Sequence, residues 1–322
     1  MTLPRSRLRR FAAPGGGGIR ARGGPSRSSF AVSPVANRTF SAAPRQPARR
    51  PRNDVRTYRV PLVVWIIAGL VLFFLVFPIF VVIPISFSAA NFLQFPPKSL
   101  SLRWYNEYLG GHGWVQATIL SAEVAVVASA FATAIGTAAA FGLIRSDFPM
   151  KKAIYGALLS PLIVPSIITA IALYFLFAPL HLIDSFAGLV LAHTVLGLPL
   201  VVVVVAASLR GFDMAVERAA MSLGAAPWTA LRRVTLPLVA PGIATGALLA
   251  FLASFDEVVV AIFLSGTNAV TLPKKIWEGV WLEITPVIAA ASTVVIAVTV
   301  VLFTALEVMR RRSESTTGHA LR

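Results

Sequence analysis

Between Arg59 and Lys98 the chain carries no charged residue. Four further stretches share that property: Lys152 to Asp184, Asp184 to Arg210, Arg233 to Asp256 and Glu283 to Glu307. About 20 consecutive apolar residues cross a bilayer core of about 30 Å. In lipid a backbone must satisfy its own hydrogen bonds, so such stretches form helices. The pattern predicts spans near 62–87, 116–144, 153–178, 186–208, 238–265 and 286–308. The expected fold class is an all-α membrane protein with six transmembrane helices. A charged fraction of 13% is too small to cover a soluble domain of 322 residues.

The net charge of +16 invites a nucleic-acid reading, but the positions of the charges oppose it. Fourteen arginines precede the first span, and Arg145, Lys151 and Lys152 share one loop. Arg210, Arg218, Arg232 and Arg233 share another, and Arg310, Arg311, Arg312 and Arg322 follow the last span. Twenty-five of 29 basic residues therefore fall on one side, against Lys98, Arg103, Lys274 and Lys275 on the other. The positive-inside rule then predicts both termini in the cytoplasm. No nucleic-acid partner is expected.

Residues 1–56 are rich in Arg, Pro, Gly and Ser and read as a disordered basic cytoplasmic tail that touches anionic lipid. The six-span region runs over 57–312, with a cytoplasmic loop at 209–237 and a second tail at 313–322. The first external loop carries Trp104, Tyr105 and Tyr108, which suit a headgroup-level interface. With no cysteine there is neither a disulfide framework nor a thiolate metal site. His112, His181, His193 and His319 are too scattered for a metal cluster. His193, inside the fourth span, reads as a helix–helix hydrogen bonder.

The loop between spans four and five is the most informative segment. Met214 to Leu223 is good helix-forming sequence, and Gly224 is a natural stop. Pro227 is placed to open a second short helix. Pro237 is expected to end that helix where the chain re-enters the membrane. Ala219 and Ala220 give the first helix a small face that another protein can approach closely.

This loop resembles the EAA motif of ABC-importer permeases: Glu-Ala-Ala, three residues, Gly, nine residues, Ile, one residue, Leu-Pro. Ala219, Ala220 and Gly224 fit, nine residues lead to Val234, and Leu236 and Pro237 close it. The departure is Arg218, which stands where the motif has Glu; an acid stands one place earlier, at Glu217. The resemblance implies the ABC-importer permease architecture in a bacterial inner membrane. It implies that Glu217, Ala219, Ala220, Gly224, Leu236 and Pro237 couple the chain to an ATPase. The implied partners are an ATP-binding subunit dimer, a second and non-identical permease, and a periplasmic substrate-binding protein. The implied mechanism is alternating access. No Gly-x-x-x-x-Gly-Lys-Ser/Thr loop occurs, so ATP is expected on the partner and no cofactor on this chain.

Residues 60–312 further resemble the spermidine/putrescine-type permeases. The likeness rests on Phe95-Pro96-Pro97, on Ser101-Leu102-Arg103-Trp104-Tyr105, on Ser254 to Val259, and on Leu272 to Trp277. Asp256 and Glu257 agree with a cationic substrate, since an acid within a span is costly and commonly faces a polar pathway. On one continuous helix the two would point about 100° apart. The alternative role is pairing with a base of a neighbouring helix or subunit. Glu123, early in span two, is a third pathway candidate. Phe255 adds either a cation–π face or apolar packing. An ABC permease for another solute (an opine, thiamine or iron) is the nearest rival. An ion-gradient transporter would not need the motif. No nucleophile–base pair and no ligand set share one depth, so neither a catalytic nor a metal site is expected.

Overall fold

The computed structural model describes residues 61–111, 113–282 and 285–319. The basic tail expected at 1–56 lies outside them. Twelve α-helices occur among the described residues. Helix α1 is Leu62–Ser86, α2 Arg103–Gly110, α3 Trp114–Arg145 and α4 Lys151–Ile163. Helix α5 is Ser166–Phe177, α6 Phe186–Gly211, α7 Met214–Ser222 and α8 Pro227–Ala230. Helix α9 is Leu236–Phe255, α10 Val259–Leu264, α11 Leu272–Leu282 and α12 Val287–His319. The last helix thus runs past the boundary expected at 312.

Five of these helices, or chained helices, are long and apolar enough to cross a membrane; the bent pair α4–α5 makes a sixth. Helices α3, α6 and α9 form the centre, through a shared cluster that includes Ala132, Ala140, Val201, Val205, Val239 and Ala250. Lipid tails are as apolar as the side chains, so close backbone approach, rather than the hydrophobic effect, holds such helices together. Gly136 shows the fit: a Cβ there would lie 2.9 Å from Val201 Cβ. Several hydroxyls within the spans bond back to their own helix, as Thr194 Oγ1 does to Val190 O at 2.7 Å. His193 bridges two helices as expected, its Nδ1 lying 2.8 Å from Ser254 Oγ.

The third span is not one rod. Helices α4 and α5 meet at 107° across Val164 and Pro165, both with extended ψ. Proline lacks an N–H and pushes the preceding residue out of the helical region, which accounts for the break. The fifth span is also interrupted, between Phe255 and Val259. At its other end it is longer than expected, because Pro227–Phe255 winds without a stop. Pro237 therefore does not end the short helix. A π-helical turn at Leu231–Thr235 immediately precedes α9, and Leu236 N–H reaches back to Leu231 O. That wider turn gives the pyrrolidine ring room beside the preceding carbonyls.

Trp104 and Tyr108 do not form a headgroup-level belt. They are 4% and 5% exposed and pack with Trp114, Leu272, Val287 and Ile288. Trp277 and Trp281 on α11 are the exposed tryptophans near that end, with rings 5.8 Å apart. Helix α3, about 48 Å long at 1.5 Å per residue, separates this end of the bundle from the end carrying α7 and α8.

Candidate coupling loop and substrate cleft

Local sequence builds the α7–α8 loop. Asp213 Oδ1 accepts the N–H of Ala215 at 2.8 Å and so caps α7. The far end closes as a Schellman motif. Ala225 N–H bonds Ala220 O at 3.1 Å, Gly224 N–H bonds Met221 O at 3.0 Å, and Gly224 sits at φ +95°. A Cβ at Gly224 would meet nothing within 4 Å, so backbone conformation alone selects glycine there. Pro227 occupies the first turn of α8. Leu223 and Trp228 stand out at the tip, 90% and 67% exposed, and Ala219 and Pro237 are also exposed. Ala220 and Leu236 are half-buried.

Glu217 points the other way. It is 5% exposed and holds Arg145, the last residue of α3. Arg145 Nη1 donates to Glu217 Oε1 at 3.0 Å, and Nη2 donates to Oε2 at 2.5 Å. The Thr235 hydroxyl, in the π-turn, donates to Glu217 Oε2 and accepts from Arg145 Nη2. Burial raises the Glu217 pKa, but hydrogen bonds from Arg145 and Thr235 outweigh it and hold the carboxyl below its usual range. In the sequence Arg145 is only one positive charge among many.

The adjacent acids Asp256 and Glu257 lie at the break in span five and serve different ends of it. Asp256 is the C-cap of α9 and is exposed. Glu257 is half-buried, and its Oε1 accepts the N–H groups of Val259 and Val260 at 2.8 and 3.0 Å. A carboxylate is favourable at the N-terminus of a helix and unfavourable at its C-terminus. Glu257 is thus satisfied by α10, whereas Asp256 adds negative charge to the negative end of α9. Both line a cleft of about 700 Å³ whose other walls include Ile79, Leu200, Leu252, Val295 and Thr299. Such a cleft, mostly apolar with one carboxylate at a helix C-terminus, suits an organic cation with a methylene chain. Phe255 is 2% exposed and stacked on Phe251, which is its packing role.

Glu123 is not brought to this cleft. It is exposed and lines a separate cleft of about 470 Å³ with Gln116, Thr267, Asn268 and Lys275. Sequence reasoning also missed Asp184. Its carboxylate accepts the N–H groups of Gly266, Thr267, Asn268 and Ala269 at 2.8–3.1 Å, and Asn268 Nδ2 at 2.8 Å. Burial raises its pKa, but the four backbone donors lower it further, to about 2. Lys274 completes the arrangement by donating to Ser265 O and Gly266 O at 2.7 and 3.0 Å. One carboxylate and one ammonium therefore hold the loop that leads into α11.

Residues 132–317 match the protein family described as binding-protein-dependent transport system inner membrane component. The chain belongs to this family. The permease is 34% identical over 246 residues to the spermidine/putrescine transport system permease protein PotC of Escherichia coli. That alignment covers 76% of this chain and 93% of the relative. It is 36% identical over 219 residues to the putrescine transport system permease protein PotI of Escherichia coli, covering 66% and 78%. Its fold is that of a bacterial ABC transporter involved in the import of the acidic polysaccharide alginate, with TM-score 0.62, 14% identity and coverage of 78% and 95%. The permease is a multi-pass inner-membrane subunit of an ABC importer, and its family work is transport rather than catalysis. The motif of residues 219–237 falls within the matched region, as do Asp256 and Glu257.

Proposed function

We propose that the permease conducts a polyamine, or a closely related organic cation with a methylene backbone, by alternating access. The observation that carries this reading is Asp256: a carboxylate at the C-terminal end of α9, exposed to a largely apolar cleft. In transporters, the ends of interrupted helices and their carbonyls are where cations bind. An ammonium group meets Asp256, and the methylene chain lies along Leu252, Val295 and their neighbours. The names of the relatives in Escherichia coli, which state spermidine and putrescine, support the same substrate class.

Both termini and the α7–α8 loop face the cytoplasm in this reading, where the loop docks on an ATP-binding subunit dimer. A second, non-identical permease completes the pathway, and a periplasmic binding protein delivers substrate at the end carrying α2 and α11. ATP is bound by the partner, and this chain needs no cofactor. The test is uptake of radiolabelled putrescine and spermidine into vesicles holding the whole importer. ATP-dependent uptake competed by unlabelled polyamine supports the assignment. Uptake of an opine or thiamine instead, with no polyamine uptake, overturns the substrate and leaves the importer.

A further inference from the structure

We propose that Arg145, Glu217 and Thr235 form a strut that makes the ATPase-docking loop move as one body with the α3 and α9 spans. The inference rests on the docking reading of the α7–α8 loop given above. Three elements far apart in sequence converge on one carboxylate: Glu217 in α7, Arg145 at the end of α3, and Thr235 in the π-turn that leads into α9. Both terminal nitrogens of Arg145, both carboxylate oxygens of Glu217 and the Thr235 hydroxyl are engaged within the cluster, while Arg145 Nε has no hydrogen-bond partner. Arg145 gives two parallel N–H groups to the carboxylate, and Thr235 both accepts from Arg145 and donates to Glu217. The guanidinium also lies 5.1 Å above the Phe141 ring, one turn back on α3.

A docking helix that only leaned on the bundle would slide when pushed. The unbroken run Pro227–Phe255 already joins α8 to α9, but no such continuity fixes α7 to α3 or to α9. Leu223 to Ala226 is a turn, and α7 joins α6 through Phe212 and Asp213. The bidentate pair fixes both distance and angle, because the planar guanidinium fork matches the carboxylate in only a few orientations. A push on the exposed tip at Leu223 and Trp228 therefore reaches α3 and α9 together. Glu217 acts inward, toward the spans, whereas the exposed residues of the loop face outward. Arg145 is thus a positioning residue of transport, acting through Glu217.

The contrast with Lys151 and Asp147 is instructive. That pair lies on the same end of the bundle at 3.1 Å, but it joins residues four apart, and Asp147 is fully exposed. Lys151 Nζ also donates to Ser146 O at 2.9 Å, so it fastens only the short α3–α4 turn and does not touch the α7–α8 loop; Lys151→Ala therefore serves as the control.

The test uses the whole importer in vesicles, with spin labels at Leu223→Cys on the loop tip and Ile135→Cys on the exposed face of α3. A cross-link from Leu223→Cys to the ATPase is measured first. Its absence in the parent would overturn the docking reading, and this proposal with it. With the cross-link present, the parent should show one narrow label-to-label distance that ATP leaves unchanged. Arg145→Ala should broaden it and lower uptake per ATP hydrolysed by about 10-fold or more, because the stranded carboxylate no longer fixes the loop. Arg145→Lys should fall between, as it keeps the charge and loses the fork. Thr235→Val guards against a folding defect, and Thr235→Ser should restore its loss. Unchanged distances and unchanged uptake per ATP in Arg145→Ala would overturn the strut alone. So would loss of the ATPase from the purified Arg145→Ala complex, since the cluster would then shape the docking surface.

Discussion

Glu257 Oε1 accepts the backbone N–H of Val259 at 2.8 Å, so its side chain caps the short helix after the break from the position before the N-cap residue, Val258. Its neighbour Asp256 ends the helix before the break. Two adjacent acids that a continuous helix would merely have turned about 100° apart are separated instead by role. Asp256→Asn keeps size and removes charge, and should lower polyamine uptake strongly while the complex still assembles. Glu257→Gln keeps an acceptor for Val259 and should affect the melting temperature more than the transport of a cation. The cap is worth about 0.5–2 kcal/mol. Uptake by reconstituted vesicles and a melting curve of the purified complex separate the two effects. Equal uptake by Asp256→Asn and parent would remove the cation site from this cleft.

Gly224 is held at φ +95° in a Schellman turn with open space around it. Gly224→Ala should therefore cost about 1–2 kcal/mol locally, without any clash. Gly224→Asp adds charge beside Leu223 at the tip. It should abolish ATP-driven uptake while the chain stays in the membrane. Retention of full substrate-stimulated ATP hydrolysis by the Asp variant would mean that the loop is not the coupling element.

Sidedness is open to direct labelling. Leu223→Cys should react with a membrane-impermeant thiol reagent only from the cytoplasmic side, and Thr267→Cys only from the periplasmic side. The chain has no native cysteine to confuse the result. Reaction of both from one side would overturn the orientation drawn from the 25 basic residues on one face.

The spans were legible because absence of charge over about 20 residues is a strong local signal. The α7–α8 loop was legible because its signals are also local: Gly224 and Pro227 act on residues beside them, whereas the Asp213 cap emerges only in the structure. The breaks were harder to read. Pro165 interrupts span three, yet Pro78, Pro84, Pro161, Pro199 and Pro241 all sit inside intact helices. Proline in a membrane helix is therefore a poor marker of a break, because neighbouring groups re-satisfy the freed carbonyls. The second break depends on Glu257 turning its carboxylate onto its own backbone. Arg145 and Asp184 were invisible as structural residues, since the partners of Arg145 lie 72 and 90 residues away and those of Asp184 lie 82–85 residues away. For Asp184 those partners are mostly backbone N–H groups, which every non-proline residue carries. Composition leaves no trace of such a contact.

Asp184 supplies the last prediction. Its four backbone donors in the Gly266–Ala269 loop are lost together if the carboxylate goes, because an amide oxygen accepts fewer and weaker bonds. Asp184→Asn should therefore release the whole loop at a cost of roughly 1–3 kcal/mol. Hydrogen exchange should quicken at Gly266, Asn268 and Ala269 but not along α3. The pH dependence has a definite sign. The folded pKa of about 2 lies below the ordinary value of 3.8. Folding therefore favours the ionised form, and the stabilisation is fully present above the unfolded pKa. It fades only as pH falls from near 4 toward 2. Loop protection in the parent, corrected for the intrinsic exchange rate, should be flat from pH 7 down to about 4. It should weaken below that, while in Asp184→Asn it should be low throughout and show no such step. A parent whose loop loosened between pH 7 and 5 would show that a group other than Asp184 holds it. Because the same loop leads into α11, weaker coupling to a loaded binding protein in Asp184→Asn, with unchanged membrane insertion, would tie this carboxylate to substrate delivery.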